Sequence, residues 1–284
     1  MKLHAALGVV ALGLAAGATG CYGHDGHGWG HYNDSEIVFG IAQKKGEGGK
    51  LTTAVGYEYL DVLDQGWQAV GLVSRGRTCW AERLDERLGQ PHVECGVATF
   101  RGGLLPDNGI AVIANRAEEL VLDGPAWQGT SDRLTFEAKG FAMPNIGPET
   151  ILVPSIDLAL LAPADPATEV ALDTSTNELE IGWTASDPSG PPEAVVASLV
   201  AVPEATPDAR GVELRCFFER SSGKGRFPQA IVTRFAALVG GAGAIKGKLH
   251  VATHRQLTIH ADGGWTVYVV ASVDQREQPF ALAR

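Results

Sequence analysis

Residues 178–184, which read Glu-Leu-Glu-Ile-Gly-Trp-Thr, decide the fold class of the second half of the chain. Leu179, Ile181 and Trp183 alternate there with polar or small residues. Because successive side chains of a β-strand point to opposite faces, this alternation predicts a strand with one buried face. The stretch therefore belongs to a folded β domain with a core of its own.

Short runs rich in Val, Ile, Leu and Phe recur along most of the chain, and turns rich in Gly, Pro and Asp separate them. Two such turns are 106–109, Pro-Asp-Asn-Gly, and 123–125, Asp-Gly-Pro. Many short strands joined by such turns predict an all-β sandwich or barrel, and we expect two β-sandwich-like domains. A short helix over 81–88 is left open as an alternative. The candidate strands are 36–42, 67–73, 77–83, 92–100, 109–114, 118–122, 132–139, 156–162, 178–185, 194–202, 211–218, 248–260 and 265–273.

A cluster of prolines marks the predicted boundary between the two domains. Pro144, Pro148 and Pro154 lie close together, and a proline lacks the N–H that a central strand must donate. We therefore predict a linker or edge segment near residues 145–155. It separates an N-terminal β domain over 36–150 from a C-terminal β domain over 151–284.

One stretch of the second domain has helical spacing. Ile231, Val232, Phe235 and Leu238 repeat at intervals that suit one helix face, and they follow Pro228. Proline is tolerated in the first turn of a helix. The stretch predicts a short connecting helix on an otherwise β domain.

The first 20 residues have the pattern of an export signal. Lys2 is their only charged residue, an apolar run covers 7–14, and small residues fill 15–20. The apolar run is too short to cross about 30 Å of hydrocarbon. We therefore interpret residues 1–20 as a signal peptide and not as a membrane span.

Cys21 follows this segment directly. The run Ala18-Thr19-Gly20-Cys21 resembles the lipobox of bacterial lipoprotein precursors, with Ala18 where Leu is usual. The resemblance implies cleavage before Cys21, a diacylglycerol on its thiol, and an amino terminus acylated by chains such as palmitate. Acyl chains hold a protein on a bilayer with about 0.8 kcal/mol per buried methylene. Tyr22 stands where Asp would signal inner-membrane retention, which favours the outer membrane if the organism is Gram-negative. An ordinary secreted protein is the alternative.

Residues 21–35 are predicted to form a Gly- and His-rich tether between the lipid and the first domain. Alternating glycines give no apolar periodicity and a high entropic cost of ordering. His24, His27 and His31 could bind Zn²⁺, Cu²⁺ or Ni²⁺, since imidazoles on one chain can converge on an ion. Without preorganised ligands such binding is weak, and a plain tether is the favoured interpretation.

The charge balance excludes one class of partner. The 284 residues include 23 Lys and Arg against 33 Asp and Glu, which gives a formal net charge of −10. A nucleic-acid-binding protein needs a basic face to neutralise phosphates. We therefore expect no nucleic-acid partner.

Three cysteines remain when Cys21 is set aside, and an exported compartment permits disulfides among them. Cys79 and Cys95 lie 16 positions apart, and we expect them to form a disulfide. Cys216 shares a predicted strand face with apolar residues. We expect it to be a small buried thiol and not a nucleophile.

Three candidate strands of the second half share a pattern of alternating or continuous apolar residues. They are Leu-Glu-Ile-Gly-Trp-Thr at 179–184, Val-Glu-Leu-Arg-Cys-Phe-Phe at 212–218 and Trp-Thr-Val-Tyr-Val-Val at 265–270. With them, the segment from about 155 to 284 resembles fibronectin type III and immunoglobulin-like modules of bacterial surface lipoproteins. The resemblance implies a sandwich with a Trp buried in an early strand. The whole chain is similar to two-domain, β-rich bacterial surface lipoproteins, and this similarity implies no activity.

His250, His254 and His260 fall on one face of a single predicted strand. At about 3.3 Å per residue, His250 and His254 are about 13 Å apart, and His260 lies farther away, so they cannot meet on one ion. We expect these histidines to face solvent. Motifs for nucleophilic, metal or cofactor chemistry are not found, so we predict no catalytic residue and no cofactor.

The sequence thus predicts a membrane-anchored lipoprotein that serves as a non-catalytic binding, structural or assembly module. Its expected partners are the membrane, reached through the lipid on Cys21, and an envelope protein or glycan. Two alternatives stay open. One is an exported enzyme whose site is assembled from distant loops, and the other is weak metal capture by the tether.

Overall fold

The computed structural model consists of β-strands and one short helix, which confirms the predicted fold class. It describes residues 35–45, 50–61, 79–83, 96–113, 120–141, 143–163, 168–173, 179–201, 211–240 and 244–283. The strands are β1 (Ser35–Lys45), β2 (Leu51–Asp61), β3 (Cys79–Arg83), β4 (Gly96–Gly102), β5 (Ile110–Ile113), β6 (Leu120–Asp123), β7 (Arg133–Gly140), β8 (Ile146–Leu152), β9 (Leu160–Ala162), β10 (Val170–Asp173), β11 (Glu180–Trp183), β12 (Ala194–Ala201), β13 (Val212–Glu219), β14 (Lys224–Arg226), β15 (Ile245–Ala261) and β16 (Trp265–Ala283), and the helix is α1 (Gln229–Val239).

Two long strands at the end of the chain form the hairpin on which both halves of the molecule are built. β15 has 17 residues and β16 has 19, whereas most strands have roughly 3–10. They pair antiparallel along their whole length, from the tip to the far end. At about 3.3 Å per residue the hairpin is about 55 Å long. Its turn uses Gly263 and Gly264 at φ values of 75° and 80°, where an L side chain is disfavoured.

The strands of the described part of the chain form three sheets. The largest has the order β3-β13-β12-β15-β16-β1-β2-β6, and β10 also pairs with β16. The two smaller sheets are β5-β4-β7-β8 and β14-β11-β9. β1 runs parallel to the tip half of β16, and β12 runs antiparallel to the far half of β15. The hairpin therefore lies in the middle of the largest sheet.

The four-stranded sheet packs on β1, β2 and the tip half of the hairpin and closes the first core. Phe136 of β7 lies between Phe39 of β1 and Phe100 of β4, with ring centroids 5.2 and 5.4 Å away. Alternate residues of β16 from Val267 to Val273 complete this core. The first half of the chain is thus a β-sandwich that needs strands from the second half.

The three-stranded sheet and α1 pack on the far half of the hairpin and close the second core. Ile181 and Trp183 of β11 are buried there, as their alternation predicts. The indole N–H of Trp183 donates to the backbone oxygen of Arg220 at 2.7 Å. Phe235 of α1 and Phe280 of β16 meet in the same core, with ring centroids 6.3 Å apart.

The strand order of the second sandwich is that of an immunoglobulin or fibronectin type III module. In chain order, β9, β11 and β14 take the places of strands A, B and E in one sheet, and β12, β15 and β16 take those of C, F and G in the other. β13 extends the second of these sheets. Helix α1 begins directly after Pro228 and connects β14 to β15, so the predicted connecting helix is confirmed.

The two cores do not follow the predicted division at residue 150. β15 and β16 come from the second half of the sequence, yet their tip halves form a wall of the first core. β3 comes from the first half, yet it pairs with β13 at the edge of the second sandwich. The proline-rich stretch near 145–155 includes the outer strand β8, where Pro148 is tolerated because an edge strand has a side without partners.

The predicted disulfide between Cys79 and Cys95 is wrong. Cys79 is bonded to Cys216, at directly paired positions of β3 and β13 whose Cα atoms are 4.1 Å apart. Proximity in sequence favoured Cys95, whereas strand pairing joins two cysteines that are 137 positions apart. Cys216 is buried as predicted, but it is a disulfide partner and not a free thiol. Cys95 lies outside the described residues.

Peptide mapping under non-reducing conditions is expected to recover a pair of peptides that joins Cys79 to Cys216, because the two positions face each other on neighbouring strands. Mass spectrometry of the proteolysed full chain checks this. The pair should disappear in Cys79→Ser and persist in Cys95→Ser. Recovery of a Cys79–Cys95 pair from the unaltered chain would contradict the assignment.

Candidate functional site

Buried polar side chains join the two sandwiches at the point where segment 153–158 crosses the hairpin. One oxygen of Glu193 accepts hydrogen bonds from Ser155 N at 3.1 Å and from Arg220 Nη1 at 2.9 Å. Its other oxygen accepts from Arg255 Nη2 at 3.3 Å. Only 3% of the Glu193 side chain is exposed, against 16% for Arg220 and 9% for Arg255. We call this group, together with Thr253 and Gln275, the junction cluster.

Gln275 fixes the backbone of the crossing segment. It is an extra residue in β16, because the register with β15 shifts between Val251 and Ala252, which is the mark of a β-bulge. Its side-chain amide donates to Ser155 O at 3.1 Å, and its side-chain oxygen accepts from Leu158 N at 3.2 Å. The polar groups of the junction cluster thus form hydrogen bonds with one another and with the backbone of segment 153–158. This arrangement is typical of a structural contact between domains.

The outer face of the second sandwich carries a row of side chains at directly paired positions of five neighbouring strands. We call it the polar row. From β3 to β16 its members are Trp80, Arg215, Ser198, His250 and Glu277. Because residues of one face alternate with residues of the other, the neighbours of the polar row along each strand point into the second core.

Arg215 is the best-bound member of the polar row. Its guanidinium donates to both carboxylate oxygens of Glu213, at 2.9 and 3.0 Å. The same guanidinium lies 5.9 Å from the centre of the Trp80 ring, and Trp80 stacks on Phe217 at 5.6 Å. Stacking of a cation on an aromatic ring and of two rings on each other is favourable. These contacts attach the outer strand β3 to β13.

Ser198, His250 and Glu277 occupy neighbouring strands in the order nucleophile, base and acid. In a working triad, hydrogen bonds join the three groups. In the described part of the chain no hydrogen bond joins Ser198 to His250, and His250 Nδ1 is 3.6 Å from Glu277 Oε2, beyond ordinary hydrogen-bond reach. Glu277 is also paired with Lys248. The polar row therefore contains the residue types of a triad without its connections.

The expectation that the histidines of β15 face solvent is wrong for His254, which is 7% exposed, and holds only in part for His250, which lies on the outer face with 12% of its side chain exposed. Burial lowers the pKa of His250 to about 4, against the opposing charges of Glu277 and Glu213. Burial, with a smaller effect from Arg215, lowers the pKa of His254 to about 3. Both rings are therefore neutral at pH 7, and His260 is exposed as expected.

The remaining predicted site residues lie outside the described part of the chain. This holds for Cys21, the expected lipidation site, and for His24, His27 and His31 of the tether, so these stay predictions. Among the described residues, no group of three or more His, Cys, Asp or Glu side chains is placed to hold a metal ion. No helix among the described residues is long and apolar enough to cross a membrane.

Comparison with known proteins adds little to this picture. Neither a protein-family model nor a curated protein matches the chain. A similar solved structure is the crystal structure of chicken CNTN1 FN1–FN3 domains, with 8% identity and a TM-score of 0.21. The match covers 84% of this chain and 63% of that one, so the chain spans less than two thirds of its neighbour's length. The fold assignment rests on the strand order described above.

Replacement of Glu193 by Gln is expected to lower the free energy of unfolding by about 3–5 kcal/mol, because it leaves two buried guanidinium groups without a counter-charge. Denaturant titration of the full chain checks this. Asp123→Asn is the matched control, because its ion pair with Lys50 is exposed on both sides. That change should cost no more than about 1 kcal/mol. Equal losses would contradict a structural role for the junction cluster.

The buried histidines make stability fall as pH falls from about 6.5 towards 4. The unfolded chain takes up protons there, while His254 and His250 in the folded chain do not. His254→Phe removes one of these groups and should reduce the loss of unfolding free energy between pH 6.5 and 5 by about 2 kcal/mol. Denaturant titrations across this range measure it, with His260→Phe as the exposed control. Identical pH profiles for the two variants would contradict the prediction.

Proposed function

We propose that this protein is a lipid-anchored, non-catalytic binding or structural module of the bacterial cell envelope. The observation that best supports the proposal is the hairpin of β15 and β16, which extends through both sandwiches. A structure of this kind holds two surfaces at a fixed separation, which suits display or assembly. Sandwiches host many unrelated functions, so the partner has to follow from surface chemistry.

The ion pairs within the junction cluster and the polar row support the non-catalytic part of the proposal. Glu193 is bound to two arginines, Arg215 is bound to Glu213, and Glu277 is bound to Lys248. A general base or nucleophile needs a partner within hydrogen-bond reach and a place for substrate beside it. These groups instead form ion pairs with one another, which is typical of side chains that stabilise a fold.

The sequence around Cys21 supports the anchor. The signal-like run, the lipobox resemblance and the tether stand in the order that a lipoprotein precursor requires. β1 begins at Ser35, which pairs with Trp265 at the hairpin tip. The 14 residues from Cys21 to Ser35 reach at most about 50 Å. We therefore place the hairpin tip on the membrane side and the second sandwich on the side away from it.

The expected partner of the displayed sandwich is an envelope protein or glycan. The formal charge of −10 disfavours nucleic acid, because phosphates would be repelled. The absence of Asp after Cys21 favours the outer membrane of a Gram-negative envelope.

Cys21→Ala is expected to abolish incorporation of an alkyne-labelled palmitate analogue and to move the protein from the membrane fraction to the soluble fraction, because the thiol that receives the diacylglycerol is gone. Metabolic labelling in a bacterial host, followed by fractionation, measures both effects. Thr19→Ala keeps a small residue before the cleavage site and is the matched control, expected to keep label and membrane association. Unchanged labelling and fractionation of Cys21→Ala would refute the anchor.

A further inference from the structure

β3 is the edge strand at one end of the largest sheet, and its origin in the sequence differs from that of the other strands of the second sandwich. It has five residues and comes from the first half of the sequence. Within the described residues it pairs with β13 and with no other strand. The chain leads into it through 62–78 and away from it through 84–95, which lie outside the described residues.

Several contacts hold β3 in place. Its backbone pairs with β13 from Cys79↔Cys216 to Arg83↔Val212. On the outer face Trp80 stacks on Phe217 and meets the guanidinium of Arg215. Arg83 Nη2 donates weakly to a backbone oxygen of α1 at 3.4 Å. The disulfide at the start of the strand is the covalent contact among them.

The second core does not depend on β3. Ala81 is the one residue of β3 that is buried in that core, and Cys79 packs against it. β10, β11, β12, β13, β15, β16 and α1 supply the other buried side chains, apart from a few in the connections. Loss of β3 would therefore open one edge and leave the sandwich closed elsewhere, as expected for a local unfolding unit.

We propose that the Cys79–Cys216 disulfide is a redox latch on β3, and that its reduction opens the edge of β13 to an extended strand from another chain. An open edge presents unpaired backbone N–H and C=O groups, which a partner strand can complete. This inference does not depend on the lipid anchor.

The chemistry of release needs a dithiol reductant. Cys79 is the more exposed of the two cysteines, since Cys216 is fully buried, and we assign the attack of a reductant thiolate to Sγ of Cys79. A mixed disulfide forms on Cys79, and Cys216 leaves as a thiolate that takes up a proton. The second thiol of the reductant then displaces Cys79. The protein gains two electrons and two protons, and the reductant becomes a disulfide.

The resident strand indicates which partner fits. Cys79 and Ala81, which point inward and pack on the second core, are small. Trp80, which points outward, is large and meets the guanidinium of Arg215. A fitting strand therefore has small residues at two alternate positions and an aromatic residue between them, as in Cys-Trp-Ala.

Hydrogen exchange of the full chain, read by mass spectrometry before and after dithiothreitol, tests the latch. Amides of 79–83 are expected to exchange about tenfold faster or more after reduction, while those of β12 and β15 stay nearly unchanged. Retained protection of 79–83, once intact mass shows both cysteines reduced, would overturn the proposal. So would a loss of protection throughout the second sandwich, because the disulfide would then support the whole fold.

A trapping experiment tests the open edge. In Cys79→Ser, Cys216 keeps a thiol, and the probe is the peptide Arg-Thr-Cys-Trp-Ala-Glu-Arg-Leu-Asp (residues 77–85) as its mixed disulfide with glutathione. Thiol exchange would join the peptide to Cys216 and release glutathione. The control peptide exchanges Cys and Trp, so that its thiol faces outward in the same register. We expect the first peptide to react with Cys216 about tenfold faster.

Equal rates for the two peptides, or no adduct at Cys216, would overturn the acceptor edge. Peptide mapping confines the measurement to Cys216. Loss of the β-sheet signal in the circular dichroism spectrum of Cys79→Ser would also overturn the proposal, because a latch is dispensable for folding.

Discussion

The continuity of the β15–β16 hairpin is the constraint on which the rest of the structure depends. The pairing of its two strands runs from the first core into the second, with a β-bulge at Gln275, so the sandwiches share a sheet and not merely a linker. Glu193, bound to Arg220 and Arg255, adds a buried charged contact where segment 153–158 crosses the hairpin. Removing one partner of such a contact is costly, so the contact stabilises the joint between the sandwiches.

Much of the fold could be predicted from the sequence wherever one face of a strand meets an apolar core. The predicted strands 194–202 and 211–218 correspond to β12 and β13 within one residue at each end. The predicted strand 265–273 covers only the tip half of β16. Beyond it, Gln275 and Gln278 occupy positions where an apolar residue would continue the alternation. The residues that contact these glutamines come from distant segments of the chain, so the local sequence pattern does not predict that a strand continues there.

The same limit applies to the disulfide and to the candidate site. Cys79 and Cys216 meet because β3 crosses from one half of the sequence to the other, and spacing along the chain favours a nearer partner. The polar row takes one residue from each of five strands, and no motif spans such distances. Glu213 and Arg215 stand at alternate positions of β13, and although both are charged, Glu213 is only 3% exposed.

The parallel pairing of β1 with β16 has a mechanical consequence. β1 begins at the hairpin tip, and β16 ends at the opposite pole of the molecule. A force that pulls the amino-terminal end one way and the carboxy-terminal end the other therefore acts along both strands. It loads the nine registered pairs from Ser35↔Trp265 to Gln43↔Val273 in shear, so they share the load and are not peeled apart one at a time. Tension applied between these two ends would therefore pass through the largest sheet of the molecule.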